Sequence, residues 1–210
     1  MSIQDLARDL SAAIAALTDN DAQIAALNEV RTILHEVSPL RHHPIDLVLW
    51  VPAATVEANN YNPNSVAPPE KRLLEHSIIT DNYTQPVVTW IEGDRRETID
   101  GFHRGEVGRT SKSVRAATRG YLPVTTIGTD RTGRDDRIAA TIRHNRARGV
   151  HSVDAMSGIV QELVRRNRSD VWIAKELGME PDEVLRLKQM TGLAELFATR
   201  EFSEAWEPEE

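Results

Sequence analysis

The chain has 210 residues, of which 40% are hydrophobic and 27% are charged, which suits one sizeable core and a small satellite. No apolar run approaches the roughly 18 to 20 residues that span a bilayer, and residues 1–5 lack the features of a signal peptide, so we expect a cytoplasmic protein with no membrane partner. The absence of cysteine excludes disulfides, thiolate nucleophiles and cysteine-ligated metals.

Charge is unevenly distributed along the chain. The net charge of −7 argues against a protein that coats nucleic acid non-specifically. Between Arg104 and Arg148, however, the balance is +7. This basic segment is suited to nucleotide phosphates, to a nucleic-acid backbone or to an acidic partner.

The first forty residues carry two amphipathic patterns. Apolar residues recur at three- and four-residue steps from Ile3 to Leu17 and again from Ile24 to Val37, and Ser2 is placed to cap the first helix. The pattern predicts an N-terminal helical hairpin over residues 1–40. Such a hairpin is a packing or partner-binding element and a candidate homodimer surface.

Residues 41–130 alternate short extended runs with helical patterns, which predicts a compact mixed α/β (α+β) domain. A glycine turn at 92–94 indicates a hairpin. The predicted strands cover 46–51, 86–91, 97–99 and 122–127, the predicted helices cover 70–79 and 102–113, and residues 58–69 form a loop.

Residues 131–200 are predicted to form a helical domain, followed by an acidic tail over 201–210. Helices are expected over 135–148, over 153–166 behind Ser152, in two further short segments and over 193–197. Ala174, Gly178 and Val184 occupy the small, turn and core positions of a helix-turn-helix. The predicted core of this unit is formed by Ile173, Leu177, Leu185 and Leu187.

The electrostatics of this helix-turn-helix leave its role open. Its second helix begins with Pro181-Asp182-Glu183, and these carboxylates would repel a DNA backbone. The predicted DNA contacts are therefore Arg186, Lys188 and Gln189, together with Arg165, Arg166 and Arg168. Protein docking and a purely structural role are the alternatives.

One loop has the composition of an anion site. A strand that ends at Ile99-Asp100 is followed by Gly101 and then by His103 and Arg104 in the first turn of a helix. Free N–H groups at a helix N-terminus attract anions, Gly101 permits close approach and the Arg104 fork can hold two phosphate oxygens. These residues alone equally allow a structural turn.

The string Asp100-Gly101-Phe102-His103-Arg104 resembles the phosphate motif of the ParB/sulfiredoxin superfamily. Three further stretches are similar to that superfamily in the same order. They are residues 56–64 with Asn62-Pro63-Asn64, residues 74–79 followed by Gln85-Pro86-Val87-Val88, and His144-Asn145-Arg146-Ala147-Arg148. Residues 141–149 and 187–193 resemble the IbrB-like branch in particular.

This resemblance implies a ParB/sulfiredoxin-type fold that binds ATP or CTP with Mg²⁺, with Asn145 as a metal ligand. It implies nucleotide contacts from Gln85, Pro86, Gly101, Phe102, His103, Arg104, His144, Asn145 and Arg148. The IbrB-like branch comprises co-activators of prophage gene expression that are commonly paired with a protein resembling phosphoadenosine-phosphosulfate reductases. Gene regulation and such a partner are therefore expected.

Three departures from the superfamily restrict the chemistry. Phe102 stands where sulfiredoxins have their nucleophilic cysteine, which excludes sulfinic acid reduction. His144 replaces the metal-binding glutamate of partition proteins, so that Mg²⁺ would rely on Asn145, phosphate and water. The general base of free serine kinases is missing at Asn59-Asn60-Tyr61, which leaves Glu57 and Asp100 as catalytic candidates.

Three hypotheses follow from the sequence. The first is a nucleotide-binding regulator with slow hydrolysis, in which occupancy changes how the helical domain docks. The second is a true NTPase or, less favoured, a small-molecule kinase. The third is a helix-turn-helix DNA-binding protein without nucleotide chemistry.

Overall fold

A computed structural model describes residues 1–61, 67–93, 95–128, 133–146 and 153–197. The chain divides into two compact units. The first unit comprises residues 1–60 and 65–132, and the second comprises residues 61–64 and 133–210.

The first unit begins with the two predicted helices, α1 (Ile3–Ala15) and α2 (Asn20–Glu36). The predicted Ser2 cap is confirmed as a capping box, in which the Ser2 hydroxyl accepts from the Asp5 N–H and the Asp5 carboxylate accepts from the Ser2 N–H. No residue of either helix is buried. Their apolar faces therefore remain accessible among the described residues.

A five-stranded mixed sheet follows, with strands β1 (Leu49–Pro52), β2 (Val56–Glu57), β3 (Val87–Glu92), β4 (Arg95–Asp100) and β5 (Tyr121–Thr126). Their order is β1-β5-β3-β4-β2. The β1–β5 and β3–β4 pairs are antiparallel, whereas β3–β5 and β2–β4 are parallel. This arrangement confirms the predicted mixed α/β class.

Of two sequence predictions for this sheet, one is confirmed and the other is wrong at one end. The hairpin at 92–94 is confirmed, because β3 and β4 pair on either side of Gly93, whose φ is +60°. The strand predicted over 46–51 is wrong at its start, since Pro44–Asp46 form a 3₁₀ turn and β1 begins at Leu49. Proline fixes φ near −65° and so favours that turn over extended chain.

The edge strand β1 is tied to α2 by one side chain. The Asn28 amide donates from Nδ2 to the Trp50 carbonyl at 2.6 Å, and its Oδ1 accepts from the Trp50 N–H at 3.1 Å. An edge strand leaves such backbone groups without a neighbouring strand. Asn28 supplies both hydrogen bonds and so anchors the N-terminal hairpin to the sheet.

Three helices complete this unit: α3 (Pro68–Asp81), α4 (Phe102–Thr110) and α5 (Lys112–Ala117). The single helix predicted over 102–113 is therefore wrong. Ser111 is extended, with φ −72° and ψ 124°, and its hydroxyl accepts from the Val114 N–H at 3.2 Å. A serine that caps the next helix favours this break, which a hydrophobic pattern does not reveal.

Glycines on one face of α4 allow the helix to lie close to the sheet. Gly105 and Gly108 are buried one turn apart. A Cβ at Gly105 would lie 3.8 Å from the Val87 side chain, and one at Gly108 would overlap Leu122 and the Tyr83 hydroxyl. The core beneath contains Val51, Ala53, Val56, Val87, Leu122 and Val124.

The second unit is helical among its described residues, with α6 (Arg134–Arg146), α7 (Val153–Arg165), α8 (Asp170–Leu177) and α9 (Pro181–Phe197). The separate helix predicted over 193–197 is wrong, because these residues continue α9. Ser152 and the tail over 201–210 lie outside the described residues.

The core of the second unit confirms most of the helix-turn-helix assignment. Ile173, Leu177, Val184 and Leu187 are buried. Leu185 was predicted to join them, but it is 50% exposed. Residues three apart share a helix face, so Val184 and Leu187 point inwards and their neighbour does not.

Buried Asp135 on α6 holds the turn between α7 and α8. Its two carboxylate oxygens accept separately from the Nε atoms of Arg166 and Arg168, the latter at 2.6 Å. Burial alone would raise the pKa of Asp135, but the hydrogen bonds from the two guanidinium groups outweigh it and lower the pKa. Two arginines predicted to contact DNA therefore have structural partners.

Within the part of the chain that the structure describes, no helix combines the length and the apolar character that crossing a membrane requires.

The close approach of α4 to the sheet generates a stability prediction. Gly108→Ala would force Leu122 and Tyr83 to move, and we expect it to cost about 1–3 kcal/mol through overpacking. Gly158→Ala is the matched control, because a Cβ at this position in α7 meets nothing within 4 Å, and it should be neutral or stabilising by up to about 1 kcal/mol. Urea unfolding measures both, and equal effects would contradict the tight packing.

Candidate functional site

The sheet topology brings the predicted phosphate loop next to the Gln85-Pro86 turn. Because β3 and β4 are antiparallel, the start of β3 and the end of β4 lie at the same edge, and Val88 pairs with Asp100. Gln85 and Pro86 immediately precede β3, and Gly101 immediately follows β4. Two segments fifteen residues apart thus meet.

Gly101 makes the turn from β4 into α4. It adopts the left-handed conformation, with φ +81° and ψ 28°, and is the N-cap of the helix. The first turn closes through a hydrogen bond from the Gly105 N–H to the Gly101 carbonyl at 2.8 Å. Gly101 offers no side-chain cap to the helix, so this N-terminus suits an external anion.

The Arg104 guanidinium lies directly over Gly101. It donates from Nη1 to the Gln85 Oε1 at 2.8 Å and from Nη2 to the Pro86 carbonyl at 3.3 Å. Nη2 also lies 3.8 Å from the Asp100 carboxylate. A Cβ at residue 101 would come within 2.8 Å of Nη2, so that any other residue here would displace the guanidinium from this position.

The backbone of the loop is held from below by Tyr83, which the sequence analysis did not single out. The Tyr83 hydroxyl donates to the Arg104 carbonyl at 3.0 Å. Burial raises the pKa of Tyr83 to about 12. The phenol therefore remains protonated and keeps its donor at neutral pH.

His103 is connected to a small ionic cluster formed by α3 and α4. The Lys71 ammonium donates to Glu106 at 2.5 Å, and the other Glu106 oxygen lies 3.7 Å from the His103 Nδ1. Burial lowers the pKa of His103 despite Glu106, and Lys71 lowers it further. The Nε2 atom is buried with no hydrogen-bond partner among the described residues.

Phe102, where sulfiredoxins have cysteine, packs edge-to-face against the His103 ring. The two ring centroids lie 5.3 Å apart and the planes are inclined at 78°. The side chain is partly buried. It orients the imidazole and offers no nucleophile.

The two catalytic candidates occupy different environments. Asp100 is only 4% exposed and faces the Arg104 guanidinium. Glu57 lies on β2 opposite Glu97, with its carboxylate 3.8 Å from the Arg95 Nε at the surface. Three residues of extended chain on β4, roughly 10 Å, separate the Glu97 position from Asp100. The structure does not bring the two carboxylates together.

The remaining nucleotide-contact candidates belong to the second unit. His144 is partly buried on α6. Asn145 is on the same helix, but its side chain lies outside the described part, as does all of Arg148. The Asn62-Pro63-Asn64 stretch also falls outside the described residues. These assignments remain predictions.

The described residues contain no cluster of acidic and imidazole side chains that could bind a metal ion. Among the described residues, no group of three or more His, Cys, Asp or Glu side chains could hold a metal ion. Magnesium prefers oxygen ligands, and the metal role of Asn145 stays a prediction because that side chain lies outside the described part.

The helix-turn-helix has the local geometry that its sequence predicts. Gly178 is left-handed, with φ +64°, and its N–H caps the Ala174 carbonyl at the end of α8. On α9, Arg186 and Gln189 are exposed. Lys188 instead donates to both Asp170 oxygens at 2.9 Å and so links the two helices.

Sequence reasoning also missed the supports of the loop. Lys71 and Tyr83 lie 33 and 21 residues before Arg104 in sequence, and nothing in their local pattern marks them. The contact between Glu106 and His103 could have been predicted from the sequence, because residues three apart share a helix face. Arg109, which donates to the Val56 carbonyl at 3.1 Å, belongs to the basic segment.

The C-terminal part of the chain matches a known protein family. Residues 151–199 match the family described as the IbrB-like C-terminal HTH domain. This match confirms both the helix-turn-helix prediction and the resemblance to the IbrB-like branch.

Two solved structures of the chromosome-partitioning protein ParB from Caulobacter crescentus show a loose likeness. The C-terminally truncated protein complexed with CTP-γ-S gives a TM-score of 0.38 at 14% identity, over 71% of this chain and 83% of that chain. The same truncated protein complexed to the centromeric parS site gives 0.45 at 16% identity, over 68% and 71%.

Over nearly its whole length the chain is similar to the Escherichia coli (strain K12) protein described as "Uncharacterized protein YbdM". The two are 54% identical over 205 residues, which cover 97% of this chain and 96% of YbdM. An identity this high over both chains leaves little room for a different fold. The chain therefore belongs to the same family as YbdM and carries an IbrB-like C-terminal helix-turn-helix domain.

Proposed function

We propose that the chain is a ParB-like regulatory protein that binds the triphosphate of ATP or CTP at the Gly101–Arg104 loop and contacts DNA through its helix-turn-helix. The observation that carries the proposal is the placement of the Arg104 guanidinium across a left-handed glycine, at a helix start without a side-chain cap. Helix N-terminal N–H groups and an oriented guanidinium are both phosphate-binding devices.

In this proposal each loop residue has a separate task. Gly101 leaves room for the Arg104 guanidinium over its backbone, Arg104 holds phosphate oxygens and His103 donates once it is protonated. Gln85 and Pro86 lie beside the base and sugar, where the superfamily has a similar turn. The resemblance assigns further nucleotide contacts to His144, Asn145 and Arg148, and assigns Mg²⁺ to the phosphates and Asn145.

The geometry favours binding over rapid chemistry. Asp100 is buried against Arg104, which suits a carboxylate that orients the guanidinium. A general base must reach the proton that it removes, and Glu57 is at the surface beside Arg95. We therefore propose slow hydrolysis that resets the protein, and rank rapid NTPase or kinase activity below it.

The match of residues 151–199 to an HTH family supports a role in gene regulation, as the resemblance to prophage co-activators implies. Nucleotide binding would act as the switch if it favours one arrangement of the two units over another. Homodimerisation through α1 and α2, and a partner resembling phosphoadenosine-phosphosulfate reductases, remain predictions from the sequence.

The nucleotide proposal predicts binding that depends on Arg104. Calorimetry with ATP, CTP, GTP and ADP in magnesium should detect binding of ATP or CTP, and Arg104→Ala should weaken it by at least about tenfold, since a charge-assisted pair is lost. Arg72→Ala, which removes an exposed cation from α3 of the same unit, should leave the affinity unchanged. No heat at millimolar nucleotide with folded protein would overturn the proposal.

A second pair of variants distinguishes displacement of the Arg104 guanidinium from a general loss of stability. Gly101→Ala strains the backbone and displaces the Arg104 guanidinium, whereas Gly120→Ala, at φ +79°, strains the backbone but meets nothing within 4 Å. Each should cost about 1–2 kcal/mol of stability. Only Gly101→Ala should reduce nucleotide affinity, and equal affinities in the two variants would argue against the loop.

The protonation of His103 supplies a spectroscopic prediction. Its pKa lies below the ordinary 6.5 in the free protein because of burial, and a bound triphosphate stabilises the imidazolium and raises it. Affinity should therefore rise as the pH falls through the window between the two pKa values, with uptake of a proton. NMR titration of the His103 ring with and without ATP measures the shift, His103→Gln identifies the signal, and sodium chloride at equal ionic strength should not reproduce it.

DNA binding by α9 predicts a steep salt dependence. For a random-sequence duplex, Arg186→Ala should lower the slope of log affinity against log salt by about 1 if one phosphate contact is lost. Lys175→Ala, which removes an exposed cation from α8 instead, should change the slope less. Affinity that is equal at low and high salt would contradict DNA binding by α9 and would leave protein docking and a purely structural role as the alternatives.

A further inference from the structure

A second concave site lies in the first unit, away from the phosphate loop. It is a cavity of about 460 Å³ between the segment after α2 and the end of β5, a size typical of small-molecule sites. None of its lining residues belongs to the Gly101–Arg104 loop or the Gln85-Pro86 turn. Its ligand would therefore be independent of the proposed nucleotide.

The polar part of this lining includes one guanidinium and two imidazoles. His35, Arg41 and His42 line the cavity, and no aspartate or glutamate is among its described lining residues. Arg41 donates from Nη1 to the Glu36 carbonyl at 3.3 Å, which holds the guanidinium near the end of α2. An anionic group would find donors here without a competing carboxylate in the wall.

One of the imidazoles is oriented by a carboxylate behind it. The His35 Nδ1 lies 2.6 Å from the Asp46 Oδ2, and the Ser38 hydroxyl donates to the other Asp46 oxygen at 3.0 Å. The hydrogen bond with His35 lowers the pKa of Asp46, which therefore stays ionised. With Nδ1 engaged, the His35 Nε2 is the ring atom left for a ligand.

The segment that presents Arg41 and His42 is locally rigid. Successive backbone bonds join the Arg41 N–H to the Ser38 carbonyl, His43 to Leu40 and Asp46 to His43, at 3.3, 2.8 and 2.9 Å. Each closes a tight turn, so the donors are placed before a ligand arrives. Such preorganisation reduces the entropy lost on binding.

The rest of the wall is apolar. Pro44, Leu47, Leu49, Val124 and Ile127 line it, and a small inorganic anion would leave this surface uncovered. We propose that the cavity binds a small organic carboxylate, whose charged group meets Arg41, His35 and His42 and whose apolar body packs on Leu49 and Ile127.

The test uses the full chain with benzoate as the probe, followed by NMR of the Leu49 and Ile127 methyl groups and the histidine rings. Benzoate should shift these signals. Benzamide, which keeps the ring without the charge, and acetate, which keeps the charge without the ring, should bind at least about tenfold more weakly. Equal binding of benzamide, or shifts confined to residues outside the cavity, would overturn the proposal.

Variants provide a second test of the proposed carboxylate site. Arg41→Gln should weaken benzoate by about tenfold, while Arg72→Gln should not change it. Arg41→Gln should also leave ATP binding unaffected, so that failure of this site and failure of the nucleotide proposal are distinguishable. Unchanged benzoate affinity in folded Arg41→Gln would overturn the assignment, and if this variant does not fold, the comparison of the three probes on the unmodified chain decides.

Discussion

The organisation of the loop depends on the open space beside Gly101, into which the Arg104 guanidinium fits. Because residue 101 has no side chain, it can adopt φ +81° and leave space above its backbone. The guanidinium occupies that space and reaches the Gln85 side chain and the Pro86 carbonyl. A backbone conformation, a cation and the start of a neighbouring strand are thus fixed by one glycine.

Two further glycines position α4, the helix that follows Gly101. Gly105 and Gly108 bring α4 against β3 and β5, and Tyr83 fills the remaining space and donates to the Arg104 carbonyl. The start of α4 is therefore supported by a packed interior, although the loop itself lies near the surface. Rigid support of this kind is what a polyanion-binding loop requires, since donors that are already in place need no reorganisation.

Several charged side chains of this protein form ion pairs, although the uneven distribution of charge along the sequence suggests a free basic surface. Arg166 and Arg168 hold Asp135, Lys188 holds Asp170, and Lys71 holds Glu106. Each pair joins separate elements of the fold. Arg186 is exposed on α9, and Arg41 lines the cavity beside the end of β5. Counting basic residues therefore overstates the surface available to nucleic acid.

The sequence by itself determined the elements and the loop. Apolar periodicity predicted α1, α2 and α7, the glycine turn predicted the β3–β4 hairpin, and Ala174, Gly178 and Val184 predicted the helix-turn-helix, because these signals depend on local backbone geometry. Only the tertiary structure decided that Ser111 divides a helix, that Leu185 faces solvent and that Lys71, Tyr83 and the His35–Asp46 pair matter. Apolar periodicity marks neither side-chain hydrogen bonds between separate elements nor the serine that caps a helix, and it does not reveal which leucine the fold leaves exposed.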